Sequence, residues 1–360
     1  MSPERILIFP FDLLSHYLRC IELTKLYPEA EIFFASSGKY DHHVQKAGHK
    51  CFDVEKFDST EVMECAEKFD FSWLNKTDLE RVFLSQVQAI KKLKPNRVIG
   101  DTSPTLKMAA EYCEVNYTAL MNGYMSRHYA CLRMLPQSHP GYPYLSKVPP
   151  NIRKVIVRFA EWISFRLVHK PFKELRRKYG LKYIFNYLSE MEGDLNLLCD
   201  DDYLFPQKKL PANYKMIGPL IYEGGENISD ILKDLRADKK NILVCMGSSG
   251  DWKALQFLSS PLYNRFTIIT AGDRDHIITG DHVVARPFLC LKSVLPHCSM
   301  LICHGGNGTI YHGLRNHLPI LCLTSHFEQE WNVQRLEALN LGIHINANPK
   351  AMIEERLATV

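Results

Sequence analysis

Met300-Leu301-Ile302-Cys303-His304-Gly305-Gly306-Asn307-Gly308-Thr309 runs a short apolar stretch into a glycine-rich turn, after which the spacing predicts a helix over 310–315. Glycines at such a turn allow positive φ and let an anion come close to the backbone. The amides of the following helix start point outward without intrahelical partners. His304 adds a side-chain donor at the mouth. A plain strand-turn-helix junction has the same outline, so the flanks decide whether this is an anion pocket.

Downstream, 319–323 reads as a strand and 330–339 as a helix stopped by Gly342. Upstream, the apolar run 241–246 empties into a second glycine turn, Gly247-Ser248-Ser249-Gly250, with a helix expected through Leu258. Strands are expected at 266–270 and 282–285, and a short helix at 291–295. Alternating strands and helices require a parallel sheet. Three loops, at 247–250, 304–309 and 324–329, then share the rim where the strands end.

The first half repeats the pattern. Arg5-Ile6-Leu7-Ile8-Phe9-Pro10 reads as a buried strand, followed by a helix over 17–26 with His16 at its mouth. Further strands are expected at 31–35, 97–101, 116–121 and 194–199, with helices at 40–46, 79–93 and 105–112. Asp101 closes its strand and so falls on that sheet's ligand rim. The stretch 122–150 is expected to be a long irregular loop. A basic, aromatic helical region follows at 155–178. Its composition suits either a solvated surface face or contact with an anionic membrane.

A length of 360 residues suggests two domains. The expected division is 1–220, a linker at 221–240, a second domain at 241–345, and a tail beginning at 346–360. Hydrophobic and charged fractions of 46% and 23% are those of a globular protein, and a net charge of +4 lacks the concentrated basic stripe of a dedicated nucleic-acid binder. Eleven scattered cysteines, odd in number and without a CxxC pair, read as reduced thiols of a cytoplasmic chain. The apolar run near the start is too short for an export signal, and no stretch of about 18 uncharged apolar residues exists to span a membrane.

The glycine motifs match neither common nucleotide fingerprint. Tyr311 stands where GxGxxG needs its third glycine, and no GK[ST] follows either turn. What does match is a longer pattern: Val294-Leu295-Pro296-His297-Cys298, His304 to Thr309, Leu318-Pro319-Ile320, and Phe327-Glu328-Gln329-Glu330-Trp331-Asn332. Over about fifty residues this resembles the donor-binding signature of the UDP-glycosyltransferase superfamily. The resemblance implies the GT-B fold: α/β, two facing Rossmann-like domains with parallel sheets and a cleft between them.

It also implies roles. His304 and the backbone at Gly305, Gly306, Gly308 and Thr309 would hold a donor diphosphate, with Gly247, Ser248 and Ser249 closing on the same phosphates. Phe288 and Leu291 would lie along the base. Glu328 and Gln329 match the pair that reads donor-sugar hydroxyls, and Asn332 matches the family's asparagine one turn on. In the first domain, Ser15-His16 resembles the family's Gly-His turn. His16 would take the acceptor's proton, oriented by Asp101, as in inverting members. No metal or cofactor is implied, because helix amides stabilise the leaving diphosphate.

Three departures stand out. Cys290 replaces a frequent proline, and His312 replaces the glutamate that grips the ribose. The chain also ends where members continue with further helices, so it is expected to be short or cut. The leading expectation is a metal-independent, inverting glycosyltransferase using a nucleotide-diphosphate sugar, UDP-linked, and an acceptor that is a lipid, a small molecule or a glycan. Alternatives are a non-catalytic or partner-dependent nucleotide-sugar-binding protein, or, less favoured, a UDP-sugar epimerase.

Overall fold

The computed structural model describes residues 3–137, 139–224, 229–235, 238–247, 249–272 and 277–359. Ser248 and parts of the expected linker, 225–228 and 236–237, lie outside the described residues. The chain divides into two compact units, Met1–Tyr222 and Glu223–Val360.

The first unit is built on seven parallel strands: β1 (Arg5–Pro10), β2 (Glu31–Ala35), β3 (Lys50–Phe52), β4 (Arg97–Asp101), β5 (Asn116–Met121), β6 (Leu195–Leu198) and β7 (Tyr214–Met216). They lie in the order 3-2-1-4-5-6-7. The unbroken apolar run of β1 has a direct cause. Successive side chains point to opposite faces, and helices cover both faces, so neither can be polar. Leu7 and Phe9 accordingly enter one core and Ile6 and Ile8 the other.

The second unit repeats the plan with β8 (Lys240–Cys245), β9 (Phe266–Ala271), β10 (Val283–Arg286), β11 (Met300–Cys303), β12 (Ile320–Cys322) and β13 (Ile343–His344). Their order is 10-9-8-11-12-13, again all parallel. Each sheet therefore starts in its middle, grows to one side for three strands, then reverses. The reversal opens a crevice beside the first strand, and ligands of doubly wound sheets bind there. In the first unit it lies between the ends of β1 and β4, in the second between those of β8 and β11.

Several elements differ from expectation. The segment after the first glycine turn of the second unit is a 3-10 helix, Lys253–Ser259, rather than an α-helix. Trp252, Leu255 and Leu258, all buried, repeat every three residues, which is the 3-10 period and not the α one. The expected helix over 155–178 is two helices, Pro150–Val168 and Lys170–Lys178, parted at His169. Pro171 offers no amide to continue the first helix and its ring crowds the carbonyl of Leu167. Strands β3 and β13 are too short to leave a pattern. The helix Phe327–Ala338 begins three residues ahead of the expected 330. The last helix, Pro349–Leu357, is capped by Asn348 and buries Ile353 and Leu357 in the core of the second unit.

Candidate active site

At the crevice of the first unit, the helix Leu14–Thr24 starts immediately after β1 and buries Tyr17, Cys20, Ile21 and Leu23 against the sheet. His16 and Arg19, three residues apart, share one side of that helix. Asp101 ends β4 and is fully buried; the turn continues through Thr102 with φ of 53°, a left-handed conformation costly for a residue with a side chain. His16 Nδ1 lies 3.0 Å from Asp101 Oδ2. In the tautomer with the proton on Nδ1 the carboxylate accepts it and Nε2 is the basic nitrogen.

Sequence reasoning missed Arg19. Its guanidinium donates to both oxygens of Asp101 and to Asn122 Oδ1, and its Nη1 lies 3.6 Å from Cys199 Sγ. Nη2 also sits 3.2 Å from His16 Nδ1. Loops following β4, β5 and β6 thus converge on one cation. Burial alone would raise the Asp101 carboxyl, but Arg19 and then His16 overcome it and hold the carboxyl well below the usual carboxylate range. The only sequence signal for Arg19 was its position one turn after His16.

The second crevice is built mainly of backbone. Gly247, after β8, has φ of 54°, and Gly305, after β11, has φ of 85°. The His304 ring is packed between glycines: a Cβ on Gly247 would stand 2.9 Å from Cε1, and one on Gly306 2.3 Å from Nε2. Any side chain at Gly306 would therefore displace the ring. His304 Nδ1 lies 3.3 Å from the Cys245 carbonyl, which can only accept, so the neutral ring presents an unprotonated Nε2. Burial holds His304 below the ordinary histidine range, despite the opposing carbonyl contact. His326 is pushed down to about 3, by burial first and by His304 second.

The helix Asn307–Arg315 starts at Gly306 without a side-chain cap. Its first-turn amides have no acceptor within the helix, and its dipole is positive at this end. Nothing stands within 4 Å of a Cβ built on Gly308, so that start faces open space. Thr309 packs against Cys245. His312, on the same helix, is buried.

The third loop locks the other two. Gln329 accepts from the Ser325 amide at 2.7 Å and donates to Ser249 Oγ at 3.0 Å. Asn332 Nδ2 donates to the Gly305 carbonyl at 3.0 Å. Gln329 is 2% exposed and Asn332 3%, whereas Glu328 is half-buried. Ser325 Oγ, His326 Nδ1 and Asn332 Oδ1 are buried polar atoms without a protein partner. Phe288 and Leu291 flank the turn after β10, where Cys290 Sγ approaches the Glu223 carbonyl at 3.8 Å. Among the described residues, no cluster of three metal-ligating side chains occurs.

No family model matches the chain. A glycosyltransferase of PGL/p-HBAD biosynthesis from Mycobacterium tuberculosis is 26% identical over 275 residues, covering 75% of this chain and 63% of that protein. The chain thus spans less than two thirds of that relative. A Mycobacterium bovis protein named as an inactive glycosyltransferase of the same biosynthesis is 28% identical over 204 residues, 56% of this chain and 54% of that one. Among solved structures, a spinosyn rhamnosyltransferase superposes with a TM-score of 0.65 at 15% identity, covering 95% of this chain and 86% of its own. That likeness shows the fold, two doubly wound parallel sheets of the GT-B type, and in sequence the chain is similar to mycobacterial proteins named as glycosyltransferases.

Proposed function

We propose that the chain is an inverting glycosyltransferase that moves a sugar from a nucleotide diphosphate, UDP in the simplest case, to an acceptor hydroxyl. The observation that carries this reading is the glycine-flanked His304 beside an uncapped helix start, at the point where the second sheet reverses its strand order. Such a place suits a diphosphate: it offers amides, a helix dipole and a histidine able to take up a proton, with no side chain in the way of close approach.

In this reading the acceptor oxygen attacks the anomeric carbon as the bond from that carbon to the diphosphate oxygen breaks. The acceptor's proton passes to His16 Nε2, and the resulting imidazolium is stabilised through Nδ1 by Asp101. The negative charge leaving with the diphosphate is met by the amides of Gly306, Gly308 and Thr309 and by His304. Glu328, the half-buried member of its pair, would accept from donor-sugar hydroxyls. Gln329 and Asn332 would hold the loops in place, since their amides already bond Ser249 and Gly305. Phe288 and Leu291 would line the base. In this reading the helix amides and His304, rather than a metal ion, would meet the diphosphate's charge.

A second reading is favoured by one observation. Arg19 binds both oxygens of Asp101 and so neutralises part of the charge that would support His16. A nucleotide-sugar-binding protein without turnover would tolerate this, and a relative bears the name of an inactive enzyme. The full chain incubated with UDP- and dTDP-sugars and phenolic or lipid acceptors separates the two. Acceptor-dependent release of free nucleotide diphosphate supports transfer. Donor-induced thermal stabilisation without release supports the second reading, and absence of both overturns the proposal.

A further inference from the structure

The helix Pro150–Val168 buries one of its nineteen residues, Val157. Its outward side is apolar: Ile152, Val155, Ile156, Phe159, Trp162 and Leu167 are each between 43 and 68% exposed. The first five stand at i, i+3, i+4, i+7 and i+10, one continuous stripe along the helix. This inverts the usual arrangement, in which a surface helix turns its apolar stripe to the core. Phe159 and Trp162 stack at 6.0 Å, and the Arg166 guanidinium lies 4.0 Å over the Trp162 ring.

Charge is segregated in the same region. Between Lys147 and Lys182 the sequence has eleven Lys and Arg against two Glu, whereas the whole chain carries only +4. The remainder is therefore net acidic. Both glutamates are answered locally, Glu161 by Arg133 and Glu174 by Lys76. The cations Lys154, Arg158, Arg166 and Lys170 are exposed on or beside the helix. Among the described residues no helix is long and apolar enough to cross a membrane. An apolar stripe flanked by Lys and Arg, with an aromatic pair at its centre, fits a helix lying in the plane of a bilayer surface.

We propose that the helix Pro150–Val168 docks the protein on an anionic lipid bilayer, with the Ile152 to Trp162 stripe among the acyl chains and the flanking cations on acidic headgroups. A second copy of the chain fits this surface less well, because a two-fold contact would bring two sets of like charges together. The proposal does not depend on glycosyl transfer.

Co-sedimentation of the full chain with vesicles of phosphatidylcholine alone, and of phosphatidylcholine with phosphatidylglycerol, tests it. Trp162 is the exposed one of four tryptophans, so its emission should shift to the blue on anionic vesicles. Replacing exposed residues leaves the core intact. Phe159→Ser with Trp162→Ser should weaken sedimentation with anionic vesicles about tenfold or more, and Arg158→Glu with Arg166→Glu should do likewise while keeping the circular dichroism spectrum. Added salt should weaken the wild type. The proposal is overturned if the wild type does not sediment with anionic vesicles, or if either variant binds them as well as the wild type. A dimer in analytical ultracentrifugation that Phe159→Ser with Trp162→Ser dissolves would also overturn it, by placing a second copy on this face.

Discussion

Each crevice holds a histidine, His16 after the first strand of its sheet and His304 after β11, the strand across the switch point from the first strand of the other, and the partner of Nδ1 gives each ring a different aptitude. His16 Nδ1 lies beside the Asp101 carboxylate, itself shared with Arg19, so protonation at Nε2 produces an imidazolium next to that ion pair. His304 bonds a peptide carbonyl in a pocket of glycines, where burial keeps it neutral until an anion arrives. The first arrangement is suited to accept a proton during a reaction, the second to accept one with a ligand. The group on each ring's Nδ1 is what separates the two tasks.

The comparison breaks most visibly at His16. Replacing it by Ala should lower acceptor-dependent turnover on the order of 10³-fold while leaving nucleotide affinity within about twofold, as steady-state kinetics and calorimetry would show. Equal loss of both would remove the distinction between the two histidines.

Asp101→Asn comes next, because it strands the nearly buried Arg19 guanidinium without its counter-charge. A loss of about 3–5 kcal/mol in denaturant unfolding is expected. The sign of the acid dependence follows from the depressed carboxyl. Its contribution is fully present above about pH 4, where the unfolded side chain is already ionised, and is lost as pH falls below that. The wild type should therefore lose stability on acidification more steeply than Asp101→Asn, and parallel curves would contradict the ion-pair account.

Two glycine variants sharpen the second site. Gly306 has an ordinary φ of −69°, so Ala there acts through its methyl group on the His304 ring alone. UDP should bind roughly ten- to a hundredfold more weakly, the worth of one charge-assisted hydrogen bond. Gly308→Ala, with open space at its Cβ, should change affinity by no more than about threefold. Reversed effects would show that the ring is not the ligand contact.

A graded effect is expected on pH. An anion at Nε2 raises a histidine that burial has lowered, so UDP binding should take up a proton and tighten as pH falls. The limit is about tenfold per pH unit, and the dependence should flatten in His304→Gln. Calorimetry in buffers of different ionisation enthalpy measures the proton directly.

The sheets were legible in the sequence because β1, β8 and β11 are buried on both faces and must be apolar throughout. The turns after them were legible because glycine is required at a left-handed Gly247 or under the ring of His304. Arg19 was hidden, since a basic residue one turn into a helix usually faces water, and its partners come from strands about 80 to 180 residues away. The 3-10 segment after Gly250 was misread by its period, although buried residues at 252, 255 and 258 carried the signal. The bonds of Gln329 to Ser249 and Ser325 were not legible, because side-chain type shows what a residue can bond and not which partner reaches it.

Titrating UDP into the wild type, His16→Ala and His304→Ala side by side tests the division of labour most directly. The account predicts unchanged affinity in His16→Ala and at least about tenfold weaker binding in His304→Ala. Equal affinity in His304→Ala and the wild type would contradict it.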